Sequence, residues 1–173
     1  MNSVQVGTFA KIFIKMTLLI IRGEENKGKT TLCAEIYSEL LKHVNQEHIF
    51  GEPCKEMKKV SQNAIVYEDG NPIDFKTVLT KDDKKIGILS RGDIVDDCFI
   101  KSLNELLLQK VNILICCTRS INRKNSTFRY IEEHYKNYPK KEFWVKFAEN
   151  KAEKQKVKQQ QAKEIVEYIL NKL

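Results

Sequence analysis

Thr17-Leu18-Leu19-Ile20-Ile21-Arg22-Gly23-Glu24-Glu25-Asn26-Lys27-Gly28-Lys29-Thr30-Thr31 is the stretch whose reading decides the fold. It begins with Thr17–Ile21, a short continuous apolar run closed by Gly23, the pattern of a strand buried on both faces and paired in parallel. From Lys29 the period changes. Leu32, Ile36, Leu40 and Leu41 fall on one face, so a helix is expected from Lys29 to about His43. Between strand and helix, Gly23 to Thr30 fits G-x-x-x-x-G-K-[ST], in the structural context that this pattern requires.

Each fixed position has a physical reason. Gly23 and Gly28 let the backbone take positive φ and approach an anion with no Cβ in the way. Successive N–H groups from Asn26 through Lys27, Gly28, Lys29 and Thr30 to Thr31 then point into one concavity, an anion nest. The helix start adds its positive dipole end. Lys29 places a charge between β- and γ-phosphates, and the Thr30 hydroxyl is a natural Mg²⁺ ligand. Glu24 and Glu25 lie in the variable part of the loop and are expected to be a solvated pair.

On these residues the chain resembles the P-loop NTPase superfamily, sharply over Thr17–Leu41 and only in architecture beyond. The resemblance implies a nucleoside triphosphate with Mg²⁺ in a three-layer α/β/α fold. Lys85-Ile86-Gly87-Ile88-Leu89-Ser90-Arg91-Gly92-Asp93 and Asn112-Ile113-Leu114-Ile115-Cys116-Cys117-Thr118-Arg119-Ser120 also look like segments from a group of small, uncharacterised prokaryotic P-loop proteins. That second likeness implies no activity.

The chain departs from the superfamily's pattern at the acid. A Walker B motif is an apolar strand ending in Asp. Here Ile86–Leu89 ends in Ser90 with Asp93 three residues on, and Val111–Cys117 ends in Thr118 with no acid. Asp93 is the best candidate for the Mg²⁺ carboxylate or a general base; its alternative role is to cap the next helix. Ser90 is expected to satisfy the backbone. Arg119, Arg123, Lys124 and Arg129 follow the Val111–Cys117 strand, at the edge of the sheet where open α/β folds bind ligands. Arginine forks match phosphate oxygens, and the segment resembles the lid of small P-loop kinases; the competing reading is a solvated basic loop. Arg119 is the best single candidate.

Working outward, Ala64–Tyr67 and Phe75–Thr80 look like strands separated by the turn cluster Glu68-Asp69-Gly70-Asn71-Pro72. Lys81–Lys84 is too short a link for a parallel crossover, so Phe75–Thr80 and Lys85–Ser90 should form an antiparallel hairpin. Ile100–Gln109 is expected to be a helix, Val111–Cys117 a buried strand, Phe128–Asn137 a helix, Phe143–Phe147 a strand with Trp144 in the core, and Ala152–Leu173 a closing helix docked through Ile165, Val166, Ile169 and Leu170. The sum is α/β, a mostly parallel sheet with an inserted β-hairpin. Thr80-Lys81-Asp82-Asp83 matches a guanine-binding signature, but at a hairpin tip it is a chance match, so ATP is favoured over GTP.

The 173 residues suit one domain over 16–173, with residues 1–15 either an upstream extension or an N-terminal strand built from Phe9, Ile12 and Ile14. The composition excludes collagen, a wholly disordered chain and a multispan membrane protein. Five cysteines without zinc-like pairing, and no convincing signal peptide, lead to reduced thiols in the cytoplasm. His43, His48 and His134 lack metal spacing. A net charge of +7 suits an anionic ligand. Residues 140–173 carry over half of the net charge, but the lysines of the polar stretch Lys151–Lys163 have no aromatics interleaved, so a solvated face is expected there rather than a nucleic-acid surface. The expectation is a Mg·ATP-binding protein, a triphosphatase or small phosphotransferase acting on a nucleotide or small-molecule acceptor. Lys29, Asp93 and Arg119 are its catalytic candidates, with Thr30 and Asp93 toward the metal. Two alternatives are a nucleotide-binding module with little turnover and a partner-activated ATPase.

Overall fold

Leu19, Ile20 and Ile21 are fully buried because their strand lies inside a sheet covered by helices on both faces. The computed structural model describes residues 15–24, 27–52, 55–56, 64–119 and 124–173. The readings of residues 1–14, of Glu25 and Asn26, of Cys54 and of Arg123 therefore fall outside the described residues.

In chain order the elements are β1 (Thr17–Gly23), α1 (Lys29–Leu40), β2 (Gln46–His48), β3 (Lys55–Glu56), β4 (Tyr67–Glu68) and β5 (Asn71–Pro72). There follow β6 (Lys76–Lys81), β7 (Lys84–Leu89), α2 (Asp97–Leu108), β8 (Ile113–Arg119), α3 (Thr127–His134), β9 (Lys140–Trp144) and α4 (Lys151–Leu170). Among the described residues seven strands form the main sheet in the order β3-β2-β6-β7-β8-β1-β9, and β4 and β5 form a small ladder of their own. The block β7-β8-β1-β9 is parallel. The inserted hairpin is present as β6 and β7, and the guanine-like Thr80–Asp83 match spans its tip.

Period-two alternation divides the apolar strands between two cores. Leu19, Ile21, Ile113, Ile115 and Cys117 pack against Leu32, Ile36 and Leu40 of α1 and Ile165, Val166 and Ile169 of α4. Leu18, Ile20, Leu114 and Cys116 face Phe99, Leu103 and Leu106 of α2 and Ile131 of α3. Each such Leu or Ile contributes about 1.5–3 kcal/mol by leaving water, which makes these central strands a firm base for the loops beyond their ends. Cys33, Cys98, Cys116 and Cys117 are free thiols, and the buried Cys33 and Cys117 sulfurs lie 3.0 Å apart. Contact with Cys117 and burial push the Cys33 thiol well above its usual range.

Several expectations need correction. The last strand is Lys140–Trp144 rather than Phe143–Phe147, and Trp144 is 52% exposed instead of lying in the core. Its ring lies 4.4 Å from the Arg22 guanidinium, whose other ring contact is Phe128 at 3.9 Å. The strand expected at Ala64–Tyr67 is only the pair Tyr67–Glu68. Asp93 does not cap α2: Asp96 does, accepting from Phe99 N–H at 2.8 Å. Among the described residues no helix is long and apolar enough to cross a membrane.

Candidate functional site

The chain reverses its direction of winding at β1. The connection from β1 runs through α1 on one face toward β2, β6 and β7, whereas that from β8 runs through α3 on the other face to β9, beyond β1. A crevice opens at such a switch point, at the C-terminal ends of the parallel strands. Gly23 and Arg119, the last residues of β1 and β8, are register partners at that crevice.

Gly28 caps α1 with φ 81° and ψ 31°, a left-handed conformation that disfavours residues with a Cβ. This turn starts the helix at Lys29 and folds its side chain back over the loop. Lys29 is 6% exposed, and its ammonium donates to the carbonyls of Glu24 at 2.9 Å and Gly23 at 3.1 Å. Asp93 Oδ1 stands 3.5 Å from that ammonium and 3.5 Å from Arg119 Nε, so one carboxylate bridges the two cations. Gly92 places Asp93 there: a Cβ on Gly92 would lie 1.9 Å from the carbonyl oxygen of Cys117, so only glycine lets the chain after β7 press against β8.

A second carboxylate, Asp74, escaped the sequence reading. Its Oδ1 accepts from the Thr30 hydroxyl at 2.9 Å and lies 3.5 Å from Ser90 Oγ. Asp74 stands just before β6, which runs antiparallel to β7. An antiparallel strand brings its beginning to the edge where parallel strands bring their ends. The acid sought after an apolar strand is thus found before one, in Ile73-Asp74-Phe75, and only the hairpin assignment offers a signal for it. Ser90 serves the backbone as expected, accepting from Phe75 N–H at 2.8 Å and donating to its carbonyl at 3.2 Å.

Lys29, Thr30, Asp74, Ser90 and Asp93, with Gly28, Thr31, Asn71 and Gly92, line a cavity of about 380 Å³. No protein-family model matches the chain, and neither curated proteins nor solved structures give a significant match.

Not every candidate faces it. Lys27 lines a neighbouring cavity instead, with its ammonium 5.8 Å from the centre of the Phe147 ring. Within the arginine-rich segment, Arg119 is drawn to the site, but Arg129 lies 3.9 Å from Glu133 on its own helix. Among the described residues no three His, Cys, Asp or Glu side chains cluster to hold a metal ion by themselves. The donors present are hydroxyl and carboxylate oxygens, hard ligands that suit a Mg²⁺ held jointly with phosphate oxygens and water.

Proposed function

We propose that the protein is a P-loop nucleoside triphosphate-binding protein that uses Mg²⁺, with ATP favoured over GTP, and that it acts as a triphosphatase or small phosphotransferase. The observation that carries this reading is the Thr30–Asp74 hydrogen bond of 2.9 Å in the cavity that also holds Lys29 and Asp93. Thr30 and Asp74, with Asp93 opposite, would hold Mg²⁺, which neutralises phosphate charge and orients the terminal phosphoryl group when bound.

The chain's own groups do the rest. Gly23, Gly28 and the N–H groups from Lys27 to Thr31 cradle the phosphates, and Lys29 supplies the cation. Arg119, aimed by Asp93, stabilises charge that builds as the phosphoryl group transfers. The lack of an acid at the ends of β7 and β8 favours a module with little turnover; Asp74, at the same edge of the sheet, supplies a carboxylate in its place. A water or a small acceptor at the Arg119 side would receive the phosphoryl group. Lys29→Ala should abolish the thermal shift produced by Mg·ATP while leaving the unliganded melting temperature near wild type. A retained shift would overturn the phosphate-loop assignment.

A further inference from the structure

The second cavity, about 480 Å³, adjoins Gly28 on the side away from Asp74 and is lined by Lys27, Lys146, Phe147, Lys154 and Lys158. Lys146 is paired with Glu164 at 2.7 Å. Lys27, Lys154 and Lys158 have no acidic partner among the described residues. Phe147 lies among these cations with 61% of its surface exposed and its ring centre 5.8 Å from the Lys27 ammonium. Chain order hid this grouping. The lysines of α4 have no aromatic neighbours in sequence, but the β9–α4 connection brings Phe147 to them, and Lys27 arrives from the glycine loop.

The connection is held in place. Gln161, 3% exposed, donates to the Trp144 carbonyl at 2.6 Å and accepts from Lys146 N–H at 3.0 Å. The ring is thus presented beside the lysines by a fixed turn.

We propose that this cavity binds single-stranded nucleic acid, one base stacking on Phe147 while the flanking phosphates meet Lys27, Lys154 and Lys158. The charge selects this ligand over its rivals. The nucleoside end of a triphosphate is neutral and would leave three ammonium groups uncompensated. An inorganic polyphosphate or an acidic peptide would match the charge but has no use for the ring. A strand carries phosphate and aromatic surface in alternation, which is what a cationic groove with a stacking platform binds. Lys156 adds one further cation between Lys154 and Lys158 on the same helix. Half-burial and the nearby Lys154 charge lower the pKa of Lys158, a strain that an incoming phosphate would relieve. The assignment does not depend on the triphosphate reading of the first cavity.

The test is fluorescence anisotropy with a labelled oligothymidylate, alongside the Mg·ATP thermal shift. Wild type should bind the strand with an affinity that falls steeply with salt. Phe147→Ala should weaken binding at least about fivefold, and Lys154→Glu should weaken it and reduce the salt slope by about one or more. Both variants should keep the Mg·ATP shift. The proposal is overturned if wild type does not bind the strand, or if Phe147→Ala binds it as well as wild type, which would reduce the cavity to a contact for any polyanion. It is also overturned if either variant loses the Mg·ATP shift together with strand binding, since the cavity would then serve the nucleotide's own base. Loss of the shift in Lys29→Ala alone leaves it standing.

Discussion

The Thr30 hydroxyl donates to Asp74 Oδ1 at 2.9 Å, joining the glycine loop to the entry of an antiparallel strand. If this pair orients Mg²⁺ with the phosphates, Asp74→Asn keeps an oxygen for Thr30 but removes the charge. The Mg²⁺ concentration needed for half of the ATP-induced thermal shift should rise about 10- to 100-fold. An unchanged Mg²⁺ dependence would remove Asp74 from the site.

Asp93 stands between Lys29 and Arg119 at 3.5 Å from each. Arg119→Ala should leave ATP binding largely intact and lower turnover by about 10³-fold, the low end for an arginine that acts on a transferring phosphoryl group. Asp93→Asn should also depress turnover, because both cations lose their common anchor. Equal turnover in wild type and Arg119→Ala, measured by phosphate release, would return Arg119 to the solvated-loop reading.

Gly92 has no room for a side chain, since its added Cβ would lie 1.9 Å from backbone oxygen. Gly92→Ala must push the β7–α2 connection off β8 and carry Asp93 with it. A loss of about 1–3 kcal/mol or more is expected in denaturant unfolding. At Gly28 the nearer obstacle is the end of the flexible Lys158 side chain, at 2.7 Å, and the cost there is the left-handed backbone, about 1–2 kcal/mol. Lys158→Ala should therefore fail to rescue Gly28→Ala.

The Asp96 carboxyl is held below its ordinary value of 3.8, first by the Phe99 N–H and then by Arg91. A depressed carboxylate stabilises the fold above its unfolded pKa, and that contribution is lost as pH falls through the folded value. The melting-temperature gap between wild type and Asp96→Ala should be constant above about pH 5 and shrink below about pH 4. A gap that widens on acidification would contradict the cap.

What could be read in advance followed from strong local signals. The run Thr17–Ile21, the glycine spacing and the α1 face each repeat one message, and Lys81–Lys84 is too short for anything but a hairpin. The misreadings have physical causes. Among the described residues β9 pairs only with β1 and lies at the edge of the sheet, which suits Lys140, Lys141 and Glu142, whereas an apolar window centred on Val145 points too far along the chain. β2 was invisible because Gln46-Glu47-His48 is polar; Glu47 is nevertheless buried, bonded by the hydroxyls of Tyr37 and Thr77. Asp74 precedes its strand, so the pattern of an apolar strand ending in an acid does not point to it.

The turn clamped by Gln161 has a consequence for how the protein is made. It launches the helix whose Lys158 reaches the space beside Gly28. On the ribosome Gly28 emerges long before Lys158. A nascent chain would carry the Gly23–Thr31 stretch before β8 and β9, the sheet partners of β1, and before the lysines of α4 have been made. The order of translation thus leaves the loop after β1 without its sheet partners and without its neighbouring lysines until most of the chain has been made.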